Sequence, residues 1–285
     1  MSNAEKKYFC EYDSGVEIED LAEQILNDPD LPQLKSIIIG MWHEEVFDEP
    51  AMPIFEMIVK NKEKFQHIES FFVGDMEAEE CEISWIQQCN YEDFLNALPN
   101  LKSLKIKGST GLVLGKINHQ NLESLEIMCG GLPLSVVDSL KTASLPNLKS
   151  LTLYLGEENY GYDCKVSDFA NLTKKSLFPK LKTLGLLNAT EQDEIVGVIL
   201  ESDILPQLEN IDISCGCLTD KGGQLILDDA SKLSHIKKLK IVYHYLSDEM
   251  VEKLESLPFE VEIDDQQEAD EPDEYWTGMY PMITE

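Results

Sequence analysis

Apolar residues recur along the chain in a short phrase, LxxLxL or a close variant of it. The eight copies are Leu34-Ile37-Ile39, Ile68-Phe71-Val73, Leu101-Leu104-Ile106, Leu122-Leu125-Ile127, Leu148-Leu151-Leu153, Leu181-Leu184-Leu186, Leu208-Ile211-Ile213 and Ile236-Leu239-Ile241. The last two apolar positions of each copy are two residues apart, so in a strand both side chains point to one face and their neighbours point to the other. The phrase therefore predicts eight short strands, each with one buried and one exposed face.

The copies begin 34, 33, 21, 26, 33, 27 and 28 residues apart, which is too long for hairpin turns. Successive strands are therefore expected to be parallel, each reached by a right-handed crossover. Such spacing is typical of a stacked repeat. Because helices are wider than the spacing between strands, the predicted fold is an α/β solenoid with a curved parallel sheet on its concave face. Helices and irregular segments are expected on the convex face.

Five copies follow an apolar residue, a proline and a polar residue, and proline favours an extended start after a helix has ended. These lead-ins are Leu31-Pro32-Gln33, Leu98-Pro99-Asn100, Leu145-Pro146-Asn147, Phe178-Pro179-Lys180 and Leu205-Pro206-Gln207. On these features the chain resembles leucine-rich repeat proteins over roughly residues 31–263, with Val261 and Ile263 as a ninth strand. The segment LTDKGGQLIL at 218–227 resembles the helical repeats of ribonuclease-inhibitor-like members. The resemblance implies protein recognition through the repeat surface.

Two departures from the family pattern change the picture. Many leucine-rich repeats carry Asn or Cys eight positions after the first Leu, whereas this chain has other residues there, so no asparagine ladder is expected. The unequal spacing of the copies predicts an irregular arc. The order of the Glu82–Ile86 segment, the array and the tail resembles a group of bacterial cytoplasmic leucine-rich repeat proteins without an established activity, which implies a cytoplasmic location.

Three regions are predicted: an N-terminal cap region at 1–33, the array at 34–263 and an acidic, aromatic tail at 264–285. In the cap region Ile18, Leu21, Ala22, Ile25 and Leu26 have helical spacing. Further helix starts are predicted from capping side chains and from one proline at a first turn. These residues are Asn90, Ser135, Thr190, either Thr219 or Asp220, Ser247 and Pro53.

The charge is the next informative feature, because 54 acidic residues stand against 23 basic ones, a formal net charge of −31. Nucleic acid and anionic membranes would be repelled by such a surface. Another protein is therefore the expected partner, and a basic surface on it is the easiest to accommodate, although the favoured interpretation of the acidic charge is a solubility feature. The first seven residues contain no apolar core of a signal peptide, and no apolar run approaches a membrane span. A monomer is expected.

Residues with catalytic or metal-binding spacing are scarce. The sequence has no HExxH, CxxC, Walker or GxSxG motif. Seven cysteines in an uneven arrangement predict no disulfide framework, and Cys215-Gly216-Cys217 is interpreted as a pair of buried, inert thiols. Trp85 is expected to fill the core, with a ligand role as the alternative. We therefore expect no catalytic residues, no metal, no cofactor and no enzyme. The alternatives are an inhibitor of a partner enzyme and an enzyme with a site in a loop such as 156–167.

Binding is expected on the concave face, where strand side chains form a rigid grid. The candidate residues there are Phe72, Lys105, Lys107, Met128, Tyr154, Leu187, Asp212 and Lys240. Phe72, Met128, Tyr154 and Leu187 are candidate anchors, unless loops or the tail cover them. In the tail, Tyr275, Trp276 and Tyr280 are expected to dock on the last repeat, on the concave face or on a partner, since a disordered tail seldom holds so many aromatic residues.

Overall fold

A computed structural model describes residues 4–272 and 277–284, and within these residues ten strands form one sheet. Neighbours in the sheet are also neighbours in the chain, and every pair is parallel. The strands are β1 Glu5–Tyr8, β2 Ser36–Ile39, β3 Ser70–Val73, β4 Ser103–Lys107, β5 Ser124–Met128, β6 Ser150–Gly156, β7 Thr183–Ala189, β8 Asn210–Asp212, β9 Lys238–His244 and β10 Glu260–Gln266. This order is that of a solenoid, which confirms the predicted fold class.

Strands β2 to β9 are those predicted from the apolar phrases, and β10 contains Val261 and Ile263. The first strand was not predicted. It pairs with β2, but it carries a single buried side chain, Tyr8, and lacks the apolar phrase. The first 33 residues therefore add a strand to the sheet as well as the predicted helix.

Helices alternate with the strands and pack side by side in chain order, α1 to α3 and α4 to α8. Their bounds are α1 Ile18–Leu26, α2 Met52–Lys60, α3 Glu92–Ala97, α4 Leu134–Lys141, α5 Val166–Leu172, α6 Gln192–Glu201, α7 Asp220–Asp228 and α8 Asp248–Glu255. The connection between β4 and β5, residues 108–123, is described throughout and contains no helix. The row of helices is interrupted there, in the shortest repeat. No helix within the described ranges is both long enough and apolar enough to cross a lipid bilayer.

Four of the predicted helix starts lie as expected, one of them at Pro53, which is in the first turn of α2. The hydroxyl of Thr219 accepts the N–H of Lys221 at 3.2 Å, and that of Ser247 accepts the N–H of Met250 at 3.3 Å. The side-chain oxygen of Asn90 accepts the first N–H of α3 at 2.9 Å. These side chains satisfy amide groups that a helix leaves unpaired at its start.

The predictions for Ser135 and Thr190 are wrong. Ser135 lies inside α4, whose first N–H is accepted by the Asp163 carboxylate at 2.5 Å. Helix α6 begins at Gln192, two residues after Thr190. Asp193 bonds across to the next repeat, where its carboxylate accepts the Thr219 hydroxyl at 2.7 Å. The sequence pattern is local, whereas these bonds join different repeats.

The place of the missing asparagine ladder is taken by polar side chains directly before the apolar phrases. Each bonds to a backbone carbonyl of the preceding repeat, at 2.7–2.9 Å. The residues are His67, Asn100, Asn121, Asn147, Gln207 and His235. Neighbouring turns are therefore joined by side chains as well as by the sheet.

Three consecutive strands leave the sheet through residues other than glycine in the left-handed region. Asn188, Cys215 and Tyr243 have φ of 59°, 65° and 65°. Each lies seven positions after the first residue of its phrase, so the backbone turns outward at the same point in each repeat. We call the edge formed by the carboxyl ends of the strands and the residues that follow them the exit rim.

Candidate functional site: the concave face and the exit rim

The eight predicted concave residues all lie on strands, and the sheet register joins them in four neighbouring pairs. Their backbones sit side by side on adjacent strands. The pairs are Phe72 with Lys105, Lys107 with Met128, Tyr154 with Leu187, and Asp212 with Lys240. The alternation of the strands therefore brings these residues together on one face, as the period of two requires.

The lysines on this face have partners within the chain. The ammonium of Lys105 lies 3.0 Å from the Glu126 carboxylate and 4.9 Å from the centre of the Phe72 ring. The ammonium of Lys240 lies 3.6 Å from the Asp212 carboxylate. These contacts restrict the positions of the two lysine side chains. The ammonium of Lys107 bonds to a backbone carbonyl instead, that of Met76.

The predicted apolar anchors differ in exposure. Phe72, Met128 and Tyr154 are half-buried, whereas Leu187 is only 1% exposed. The expectation that Leu187 is exposed is therefore wrong. Gly185 has no side chain, and Leu187 lies over it, 3.1 Å from where a Cβ of residue 185 would stand. Burial also raises the pKa of the Tyr154 phenol, so its hydroxyl remains a hydrogen-bond donor at neutral pH.

The second described part of the tail, residues 277–284, lies along the exit rim of β7 to β9. The N–H of Ile283 donates to the Asn188 side chain at 2.8 Å, and the N–H of Met282 donates to the Cys215 carbonyl at 2.8 Å. The Tyr243 hydroxyl donates to the Tyr280 carbonyl at 3.2 Å. These three rim residues are the three strand-exit residues with a left-handed backbone conformation. A segment of the tail is thus held by the residues that turn outward there.

Tyr280 is attached through its backbone, and its side chain is 48% exposed. The Tyr245 hydroxyl also donates to its carbonyl, at 3.1 Å. Tyr275 and Trp276 lie outside the residues that the structure describes. The predicted docking of the tail therefore has a described contact at Tyr280, on β9 and the segment after it.

Trp85 is 58% exposed, so the prediction that it fills the core is wrong. It lies in a 3₁₀ turn, Ile83–Trp85, in which Ile83 and Ile86 are buried. Residues three apart share a face of a 3₁₀ helix, so the two isoleucines turn inward and Trp85 turns outward. The apolar composition of Glu82–Ile86 alone does not distinguish the exposed tryptophan from the buried isoleucines.

Trp85 forms one wall of a groove of about 420 Å³ on the exit rim of β1 to β3. We call it the aromatic groove, and its lining residues are Tyr12, Glu44, Phe47, Glu80, Cys81, Glu82 and Trp85. Tyr12 and Phe47 are 73% and 39% exposed. Sequence reasoning missed both, because neither belongs to a periodic segment. The signal that could have indicated their exposure is that each aromatic residue has acidic residues beside it in the sequence.

The walls of the aromatic groove are tied together by hydrogen bonds. The side-chain amide of Gln87 donates to the Phe47 carbonyl at 2.8 Å, and the backbone N–H of Gln87 donates to the Val46 carbonyl at 3.2 Å. The Thr110 hydroxyl donates to the Ser84 carbonyl at 2.7 Å. The connections after β2, β3 and β4 therefore hold one another, which positions the backbone at Phe47 and beside Trp85.

The cysteines are free thiols of raised pKa. Burial raises the pKa of Cys81 and Cys215 to about 11 and that of Cys217 to about 12. These thiols are therefore protonated at neutral pH, and a thiol is a far weaker nucleophile than a thiolate. Within the described residues no group of three or more His, Cys, Asp or Glu side chains is arranged to hold a metal ion.

The repeated phrase, the ten parallel strands in chain order and the accompanying helices define a leucine-rich repeat solenoid. The crystal structure of a Bacteroides fragilis protein determined in a structural genomics programme is 46% identical in sequence, with a TM-score of 0.91 over 98% of this chain and 77% of that one. The chain belongs to the family of this B. fragilis protein.

InlP of Listeria monocytogenes is a more distant match, with 14% identity and a TM-score of 0.36 over 80% of this chain and 64% of that one. No protein-family model matches the chain, and no curated protein is similar to it.

Proposed function

We propose that the chain is a non-catalytic protein-recognition module, a scaffold or adaptor, which contacts its partner through the concave sheet. The observation that carries this is the row formed by Phe72, Lys105 and Glu126, in which the lysine is held by both neighbours at 4.9 Å and 3.0 Å. A row fixed in this way loses little side-chain entropy when a partner docks. Its mixed aromatic and charged character suits a protein surface.

The acidic charge bears on the choice of partner. A formal charge of −31 favours a protein with a basic surface over nucleic acid or an anionic membrane. From the pattern of its sequence, we propose that the module acts in the bacterial cytoplasm. We also propose that its repeat at 218–227 is of the ribonuclease-inhibitor-like type. It is proposed to act as a monomer.

The experiment is affinity capture from a bacterial lysate with quantitative mass spectrometry. The wild type is compared with a Tyr154→Ala, Met128→Ala double variant and with Phe72→Ala, and each captured partner is then bound as a purified protein. Leu225→Ala, on α7, is the matched control for loss of apolar surface away from the sheet. We expect both concave variants to weaken the same partner at least tenfold and the control to retain it. Equal binding by all four proteins would contradict the concave site.

A further inference from the structure

The aromatic groove is a part of the exit rim where three large aromatic side chains are exposed on one surface. Tyr12, Phe47 and Trp85 follow β1, β2 and β3, so each of three consecutive turns contributes one ring. They are 73%, 39% and 58% exposed. Exposed aromatic rings gathered on one surface are a feature of binding sites, since single exposed residues are scattered on ordinary surfaces.

The charged residues of the aromatic groove are all acidic. Glu44, Glu80 and Glu82 line it, and all three are exposed. Burial raises the pKa of the Cys10 thiol, and the charges of Glu44 and Glu80 raise it further, so both carboxylates lie within electrostatic range of this thiol. Rings and carboxylates together suit a cation, because the ring face attracts positive charge and the carboxylate pairs with it.

Aromatic rings at this end of the sheet already hold ammonium groups of the chain itself. The Lys7 ammonium lies 5.8 Å from the centre of the Phe9 ring, and Phe9 is another exposed residue of the rim, at 47%. The Lys105 ammonium lies over Phe72 on the adjoining concave face. The rings of the aromatic groove have no such internal lysine among the residues that line it. All 23 basic residues of the chain are lysines, so a guanidinium group would have to come from a partner.

The same rim accepts a segment of the chain at its other end. Residues 280–283 run along β7 to β9 and bond to them through their backbone. That tail is an unsuitable occupant for the aromatic groove, because it is already docked and is preceded by Glu268, Asp270 and Glu271. A second copy of the chain would bring the same acidic residues. A cationic segment of a different protein has the complementary charge.

We propose that the aromatic groove binds an extended segment of a partner protein rich in arginine or lysine, which lies along the exit rim with its cationic groups between the three rings and the three glutamates. The proposal rests on the proposed role in protein recognition and adds a second contact surface to it. The rings supply faces for the cationic groups, and the glutamates neutralise them.

The test is direct binding of the full-length chain to a fluorescein-labelled peptide of alternating arginine and glycine, followed by fluorescence anisotropy at physiological salt. A peptide of alternating glutamate and glycine is the negative probe. The groove variants are Trp85→Ala and the double variant Glu80→Lys, Glu82→Lys. The matched control is Glu252→Lys, Glu255→Lys on α8, which makes the same change of net charge on exposed residues of the convex side.

We expect Trp85→Ala and the groove charge variant each to weaken binding of the arginine peptide at least tenfold, while the α8 variant stays within about twofold of the wild type. Circular dichroism and thermal unfolding check that each variant is folded. Equal weakening by the groove and α8 charge variants would mean general attraction to an acidic surface and would overturn the proposal, as would undetectable binding to the wild type. Either result leaves the concave site intact, since its test uses captured partners and different residues.

Discussion

At the scale of single residues, the left-handed strand exits are where the chain departs most from sequence rules. A residue other than glycine in this region carries a strain of about 1–2 kcal/mol, so three in register need compensation. Asn188, Cys215 and Tyr243 each bond to the tail. The side chain of Asn188 makes two of these bonds, accepting the N–H of Ile283 and donating to its carbonyl. The tail therefore helps to stabilise these conformations.

Replacing Asn188 separates the strain from the bonds. Asn188→Gly removes both side-chain bonds and relieves the left-handed strain, whereas Asn188→Ala removes the bonds and keeps the strain. We expect both to release the tail, and we expect Ala to be less stable than Gly by about 1 kcal/mol. Hydrogen exchange at the amides of Met282 and Ile283 measures the release, and denaturant unfolding measures the difference. Unchanged exchange in both variants would show that Asn188 does not hold the tail.

The residues that sequence reasoning placed correctly are those governed by alternation along a strand. Lys105 is displayed on the concave face because Leu104 and Ile106 are buried beside it. Trp85 and Leu187 were misplaced because their exposure depends on neighbours, a 3₁₀ turn in one case and the absence of a side chain at Gly185 in the other. Left-handed residues such as Tyr243 have no sequence signal, since tyrosine rarely adopts that region.

At the scale of elements, charged residues just before the strands link one repeat to the next. Glu69, before β3, lies 3.0 Å from the Lys35 ammonium and 2.6 Å from that of Lys102, in the repeats on either side. Hydrogen bonds from Lys102 and Lys35 lower the pKa of the Glu69 carboxyl to about 2. Because these groups are exposed to solvent, each pair contributes only a small amount to stability.

The lowered pKa of Glu69 sets the direction of a pH effect. An unfolded glutamate titrates near its ordinary value of about 4.3, so the folded state binds fewer protons than the unfolded state between there and about pH 2. Its stabilisation is therefore complete above about pH 5 and is lost as the pH falls towards 2. We expect the melting temperature of Glu69→Gln to lie below that of the wild type at pH 6, with the gap narrowing between pH 5 and 3. Glu252→Gln, on the convex side, is the control, and a gap that widened on acidification would contradict the role of Glu69.

Strands were easier to predict than helix ends. The apolar phrase marks a strand directly, but β1 lacks it and depends on the edge of β2 for its hydrogen bonds. Helix starts at Thr219 and Ser247 followed from local capping, whereas α4 and α6 begin where other repeats supply the partners. A local sequence pattern does not indicate which residues of another repeat will contact a helix start.

At the scale of the whole molecule, the order of the repeats and the gap in the helix row follow from spacing, whereas the placement of the tail does not. Ile283 meets Asn188 from 95 positions away, and no pattern relates the two. The exit rim is consequently divided into a half covered by the tail and a half that exposes Tyr12, Phe47 and Trp85. Only the three-dimensional structure joins these residues into one surface.

The net charge also acts on the whole molecule. Even if every lysine paired with one carboxylate, a formal charge of −31 would leave 31 carboxylates repelling one another in the folded state. Salt weakens both this repulsion and the ion pairs around Glu69, but the repulsion extends over longer distances and involves more groups. The Debye length, the distance over which charges interact before they are screened, falls from about 30 Å at 0.01 M to about 8 Å at 0.15 M ionic strength.

We therefore expect the melting temperature to rise with sodium chloride between 0.01 M and 0.15 M at pH 7. A gain of about 1 kcal/mol would raise it by about 2 °C in a chain of this size. Potassium chloride should give the same rise at equal ionic strength, because screening does not depend on which cation supplies it. Sucrose at the same molar concentrations controls for solute effects and should change the melting temperature little. A fall with salt would mean that the ion pairs between repeats outweigh the repulsion of the unpaired carboxylates, and Glu69→Gln would then be expected to remove part of that fall.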